Sequence, residues 1–380
     1  MKTRYALVVG AAGLVTLLSF GFSGAQTSAL ASPGSGYRAR SPEYGLSTFV
    51  FGRPQTTDRD LDKVAALGFG WQKSLFRWRD IEADCKGCFN WAEADRVVKA
   101  SAAHRLKVIA RLDFQPRWAS AAHNGPPDNY QDLADFVYAF VDHFKQGSPN
   151  GAVGAIEVWN EVNLNREWGM LPIDRQSAAD YVRLLGAAYA AAKAADPSVT
   201  VITAGLSPNG VSDPACCQPD DVYLNWMFES GLQGKYDVVG ANANVQCPCV
   251  DAPLLSVPGF GHESFYFRRV EQLHEIMASN GDGDKQVWLM EFGWTTDRVN
   301  PGYAWYATTE DVKAELIIQA FQFANRTWSP WIGVMTLWTI ADPGWAPDDE
   351  QVWWSITNPD GSTRPAYERL RQARAAGQLP

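Results

Sequence analysis

The chain has 380 residues, 46% hydrophobic and 20% charged, with 32 Gly and 22 Pro dispersed rather than periodic. That apolar content excludes wholesale disorder and a collagen-like chain, and the length suits one large domain or two ordinary ones. A formal net charge of −9 gives no electrostatic reason to expect a nucleic-acid partner.

Lys2 and Arg4 precede an almost uncharged run from Tyr5 to Phe22, and Ala29-Leu30-Ala31 then supplies a small-x-small cleavage site. This is the pattern of a secretory signal over residues 1–31, cleaved after Ala31; an uncleaved membrane anchor is the competing reading. Under the first reading the mature chain loses two cations, is secreted, and keeps no stable membrane association. A polar linker over 32–42 follows. The cysteines, Cys85/Cys88, Cys216/Cys217 and Cys247/Cys249, agree with export. The economical pairing joins Cys85 to Cys88 and ties the 216/217 pair to the 247/249 pair. A zinc site is the alternative, although the spacings match no common zinc pattern.

From residue 43 an alternation begins and persists to residue 375. Strands are predicted at Tyr44–Phe51, Gly70–Phe76, Lys107–Leu112, Val153–Trp159, Val199–Ala204, Asp237–Ala241, Val287–Glu291 and Ile332–Leu337. Amphipathic helices are predicted at Asp58–Leu67, Ala92–Ala103, Tyr130–Phe144, Ser177–Ala194, Asp221–Glu229, Ser264–Ala278, Thr309–Ala324 and Arg364–Ala375. Eight such pairs make a single (β/α)8 barrel the leading topology, with a doubly wound open sheet second. Segments from helix back to strand are short, whereas those at 205–220, 242–263, 292–308 and 338–363 are long. In such barrels the active site lies on the strand-to-helix face, so long strand-to-helix loops fall where a substrate groove is built.

Two acids hold the most telling positions. The fourth strand runs Ala155-Ile-Glu-Val-Trp-Asn-Glu161 and the seventh Val287-Trp-Leu-Met-Glu291. Each acid ends its strand, at the mouth of the barrel, and the two strands face each other across it. Hydrolysis of a glycosidic bond needs a proton donor on one side and a carboxylate on the other. Glu157, two residues deeper than Trp159, is expected in a buried polar network instead of the chemistry.

Trp159-Asn160-Glu161-Val162-Asn163, a Glu ending the seventh strand and Trp338 ending the eighth together resemble clan A of the glycoside hydrolases, families 39 and 5 in particular. The resemblance implies a retaining enzyme with Glu161 as general acid/base and Glu291 as nucleophile. It further implies that Asn160 binds the 2-hydroxyl of the sugar at the cleavage point and that Trp338 forms the apolar floor beneath it. Clan members often carry an Arg at the end of the second strand, and Arg77 is the candidate for keeping the nucleophile ionised. Where many members place an aromatic pair after the sixth strand, this chain has Asn242 and Asn244, which can hydrogen-bond but offer no ring. The family and sugar are therefore left open, and the two-Glu mechanism is not.

An acid that holds its proton near neutral pH needs apolar rings or a nearby negative charge, and Trp159 and Glu291 are the candidates. Arg111, Asp113 and Trp118 after the third strand are further groove candidates. The 16 Trp fall largely at strand ends and in long loops, where Trp118, Trp294 and Trp338 are candidate stacking platforms for sugars. The five scattered His show no ligand spacing, and no metal or cofactor is implied. The expected molecule is a monomeric, secreted, endo-acting glycosidase whose partner is a poly- or oligosaccharide. A non-catalytic carbohydrate-binding protein on the same barrel is the alternative.

Overall fold

Short β-branched runs separated by amphipathic helices can bury both strand faces only by forming a parallel sheet covered by helices. The computed structural model describes residues 38–245 and 264–379 and shows this arrangement. Its strands are β1 Glu43–Ser47, β2 Trp71–Arg77, β3 Lys107–Asp113, β4 Ala155–Val158, β5 Thr200–Thr203, β6 Val239–Asn244, β7 Val287–Gly293 and β8 Ile332–Leu337. All pairings are parallel, in the order β5-β4-β3-β2-β1-β8-β7-β6. β1 pairs with both β2 and β8, so β5 and β6 stand at the ends of this order, and contact between those two is what separates a closed barrel from an open sheet. The ring closes between β5 and β6, where Thr203 N donates to Val238 O at 3.1 Å and Asn242 N donates to Leu206 O at 3.1 Å. The fold is a single (β/α)8 barrel.

The inside of the barrel is layered. Trp71, Ile109, Ala155, Ile202, Val238, Trp288 and Val334 pack together at the floor, with the Trp71 and Trp288 rings edge-on at 5.4 Å. Ala39 joins this cluster, and its backbone is held by the Gln286 side chain at 3.1 and 2.9 Å. The described part of the expected linker therefore seals the barrel floor. Above the apolar layer the inward positions become charged, at Lys73, Arg111 and Glu157. A second apolar cluster lies between the strands and the outer helices.

One helix fixes the strand ends that matter most. In the helix Arg175–Ala195, Tyr181 donates its hydroxyl to Val158 O at 2.9 Å and accepts from Ala204 N at 2.6 Å. This ties the ends of β4 and β5 directly beneath Glu161. The helix start is fixed by a capping box between Asp174 and Ser177.

Cys85 pairs with Cys88 as expected. Cys216 pairs with its neighbour Cys217, correcting the expected tie to 247/249. The turn there brings both amides back to Asp213 O, at 2.9 and 2.7 Å, and so sets the two residues side by side. Cys247, Cys249, the signal segment 1–31 and residues 32–37 of the linker lie outside the described residues.

Candidate active site

Glu161 reaches the barrel mouth through an unusual stretch of backbone. Trp159 has φ +71° and Glu161 φ +40°, left-handed values that non-glycine residues adopt at a cost of about 1–3 kcal/mol each. The strand thus ends at Val158, and the chain turns so that Glu161 N donates to Gly205 O at 3.1 Å. Gly205 is required by this close approach, since a Cβ there would sit 2.5 Å from Asn242 Oδ1 and 3.0 Å from Met290 Cβ. The same turn swings Trp159 away from the mouth. Its ring is fully buried against Trp168, and its Nε1 donates to Glu167 O at 2.7 Å, so it is core and not a wall beside the acid.

Glu291 arrives by a different device. The register of β6 on β7 pairs Ala241 with Leu289 and then Asn242 with Glu291, leaving Met290 as an extra residue. Simple alternation places Trp288 and Met290 inside the barrel and Glu291 outside. The bulge shifts the phase by one and turns Glu291 into the mouth, as bulges beside active sites commonly do. The shift also corrects the reading of Trp294. That residue now shares the outward face with Phe292 and is only 2% exposed, packed against Phe267 at 5.8 Å. It does not reach the groove.

Both acids are nearly buried, each 7% exposed, and they differ in their neighbours. Glu161 accepts from Asn242 Nδ2 at 3.1 Å and from Arg166 Nη2 at 3.1 Å. Glu291 has Lys73 Nζ at 3.6 Å, and that ammonium also lies 2.8 Å from Glu157 Oε2 in the layer below. Burial pushes the Glu291 carboxyl up to about 7; Lys73 opposes the rise, the charge of Glu161 adds to it, and Arg111 opposes it again. Lys73 and Arg111, rather than the expected Arg77, are the cations that oppose this rise. Arg77 lines the same cavity, but its guanidinium faces Asp80 at 3.4 Å in an exposed pair. Glu157 has the expected structural place, fully buried, accepting from Gly205 N at 3.1 Å.

The raised Glu291 has a consequence for stability. Between its ordinary value near 4.5 and about 7, the folded state binds more protons than the unfolded one, so stability falls as pH rises through that window. Glu291→Gln removes this cost. Relative to wild type, the variant should gain on the order of 2 kcal/mol of stability on going from pH 4 to pH 8. Urea unfolding of both proteins at the two pH values measures this, and an unchanged difference would contradict the burial assigned to Glu291.

Two cavities meet at this point. One, of about 320 Å³, is lined by Phe49, Phe51, Arg53, Lys73, Arg77, Asp342 and others. The second, of about 530 Å³, is lined by Asn160, Glu161, Arg166, Glu167, Asn244, Tyr303 and others. Glu291, Arg111 and Trp338 line both, so the two are halves of one cleft. The Trp338 indole is set by an Nε1–Gln351 Oε1 bond of 2.9 Å and by Phe49 edge-on at 5.7 Å. Among the described residues, Asn160, Asn242 and Asn244 each keep a buried Oδ1 without a hydrogen-bond partner. Unpaired buried acceptors are costly, and hydroxyl donors of a ligand in the cleft would satisfy those of Asn160 and Asn244, which line it; Asn242 Oδ1 faces Gly205 instead. Trp118 is placed elsewhere: it lies edge-on to Trp78 at 5.6 Å, and its Nε1 donates to Glu82 O at 2.9 Å, in a small loop core.

Several lining residues were not singled out by sequence reasoning. Lys73 was visible as a charge inside an apolar strand, at an inward position two before Leu75. Arg166 and Glu167, on the turn Asn165–Glu167 just after Glu161, had no signal beyond proximity. Burial pushes Glu167 up to about 7. Tyr303, Tyr306 and Glu350 come from the long segments after the seventh and eighth strands, on or beside the short helices Pro301–Ala304 and Glu350–Trp354 that no periodicity announces.

No protein-family model matches the chain. It is 24% identical over 161 residues to a β-xylosidase of Geobacillus stearothermophilus, a match spanning 40% of this chain and 29% of that relative. Its fold is similar to that of a family 39 glycoside hydrolase from Bacteroides cellulosilyticus WH2. That likeness has TM-score 0.66 and 18% identity, covering 90% of this chain and 64% of the other. It is also similar to a family 5, subfamily 18 protein from Streptomyces cattleya, solved with GlcNAc, at TM-score 0.59 and 16% identity over 88% and 80% of the chains. These structure neighbours are glycoside hydrolases of families 39 and 5, the two the resemblance named.

Proposed function

We propose that the chain is a retaining glycosidase acting on β-linked glycans, with Glu291 as nucleophile and Glu161 as general acid/base. The observation that carries this reading is the convergence of the two carboxyls, from opposite strand ends, on one cleft with Asn160 and Trp338. The β-xylosidase relative supports the β linkage. In the first step a Glu291 oxygen attacks the anomeric carbon, the bond to the leaving oxygen breaks, and Glu161 gives that oxygen its proton. In the second step Glu161 takes a proton from water, the water oxygen attacks the anomeric carbon, and the ester bond to Glu291 breaks. Asn160 would bind the 2-hydroxyl, and Trp338 would lie under the ring. Asn242 orients Glu161 by the bond described above.

The same proposal extends to location and mode. Cavity on both sides of Glu291 supports endo-action, because a polymer can pass through. The signal-like pattern over residues 1–31 and the two disulfides support a secreted enzyme.

Two measurements test the reading. Wild type should release sugar from at least one member of a β-glycan panel, and none from any member would sink it. On that substrate, NMR of the fresh digest should show the β-anomer first, with the α-anomer appearing only by mutarotation. An α-anomer formed first would remove Glu291 from the nucleophile's role.

A further inference from the structure

Beyond Glu291 the cleft wall turns basic. Arg77 ends β2 and Arg79 follows two residues later, and both guanidiniums lie over one ring, Phe114, with Cζ 5.7 and 4.7 Å from its centroid. Phe114 itself has φ +55°, a left-handed conformation that is costly for an aromatic residue and persists only when its surroundings impose it. Its carbonyl accepts from Arg79 N at 3.0 Å, and its ring meets His123 edge-on at 6.1 Å. A strained residue therefore serves as the platform that holds two like charges together.

Those charges are poorly compensated. Asp80 faces Arg77 at 3.4 Å with both side chains substantially exposed, an arrangement worth little in water. Arg79 donates to His123 O at 3.2 Å and, among the described residues, has no carboxylate partner. Arg117, likewise, makes no side-chain hydrogen bond or ion pair among the described residues. In a chain of net charge −9 this cationic surplus is local. Arg79, Arg117 and His123 line a cavity of about 380 Å³, and Asp80 lines both this cavity and the one that holds Glu291. The basic wall is thus an extension of the cleft.

Resting on the glycosidase reading, we propose that this wall is a distal binding site for an anionic glycan group, a carboxylate or sulfate on the polymer or its branches. The anion docks on Arg79 and Arg117 while the sugar chain crosses Glu291. The guanidinium fork matches the paired oxygens of either group, and stacking on Phe114 presets the fork of Arg79 before the anion arrives.

The test uses Glu291→Gln protein, so that binding is measured without turnover. It is titrated calorimetrically with three xylan preparations: glucuronate-bearing, the same material carboxyl-reduced, and sulfated. At low salt at least one charged polymer should bind about tenfold or more tighter than the reduced one, with the gap narrowing as salt rises. Whichever charged polymer wins identifies the group. In the same background Arg79→Ala/Arg117→Ala should compress the gap to under about twofold, and Arg79→Lys/Arg117→Lys should keep part of it. Equal affinity for all three polymers, failure of all three to bind, or a gap that survives the alanine pair would overturn the proposal. Hydrolysis by wild type is scored separately on neutral glycans. Loss of charge preference with hydrolysis intact leaves the glycosidase reading standing, and the converse strikes only that reading.

Discussion

Glu291→Gln is expected to lower kcat by about 10⁴-fold or more, a barrier increase of about 5 kcal/mol, while leaving sugar binding largely in place. The amide has nearly the shape of the carboxylate but cannot form the glycosyl ester. Glu161→Ala should behave differently, because a general acid matters only while the leaving oxygen needs a proton. On glycosides with poor leaving groups it should lose about 10²–10⁴-fold. On dinitrophenyl glycosides the loss of the first step should be small, with ester hydrolysis becoming limiting. Azide separates the two roles directly. In Glu161→Ala, azide replaces water, attacks the glycosyl ester, expels Glu291 and gives a glycosyl azide of retained configuration. In Glu291→Ala, azide occupies the space the carboxylate vacates, attacks in its stead and gives the inverted product. Azides of the same configuration from both variants, or Glu291→Gln activity within tenfold of wild type, would refute the assignment.

The barrel was legible because its signals are local. Ile332–Leu337 and Ala92–Ala103 occur at the predicted bounds, since a short β-branched run and a 3.6-residue apolar period need no tertiary information. Boundaries failed where the backbone does something a single sequence does not announce. The fourth strand was predicted through Trp159 and stops at Val158, because the next turn takes left-handed backbone to present Glu161. The first was predicted through Phe51 and stops at Ser47, releasing Phe49 and Phe51 into the cleft wall. The sixth runs on through Asn242 and Asn244, poor strand formers that pairing with β7 holds extended.

The site divides in the same way. Glu161 and Glu291 were placed at the barrel mouth by counting strand ends, Asn160 and Trp338 by the resemblance, and all four line the cleft. Trp294 was misplaced because counting assumes an unbroken alternation, and Arg77, which does line the cleft, was set beside Glu291 because counting takes the nearest strand-end cation as its partner. The bulge at Met290 breaks the first assumption. Lys73, four residues before Arg77 on the same strand and so two inward positions deeper, breaks the second. Register and depth are properties of the closed barrel, and they appear only when eight strands are placed against one another.

Lys73 therefore makes the sharper test of how the site is built. Its ammonium is almost completely buried, 2.8 Å from Glu157 Oε2 and 3.6 Å from Glu291 Oε1, and it donates to Met290 O at 3.3 Å, the carbonyl of the bulge itself. Lys73→Met removes the cation from between two buried carboxyls and should cost about 3–5 kcal/mol of stability, the usual penalty for orphaning a buried charge. It should also act on the chemistry. A cation favours the ionised form of Glu291, so removing it raises the pH at which the nucleophile becomes available. The acidic limb of kcat/KM should move up by about one pH unit or more. A merely structural lysine predicts the first effect without the second. The double variant Lys73→Met/Glu157→Gln separates them: neutralising Glu157 removes the orphaned charge and should recover most of the stability. Glu291 still lacks its ammonium, so the acidic limb should stay displaced. If the limb returns with the stability, Lys73 supports only the barrel interior, and the nucleophile owes its ionisation to Arg111.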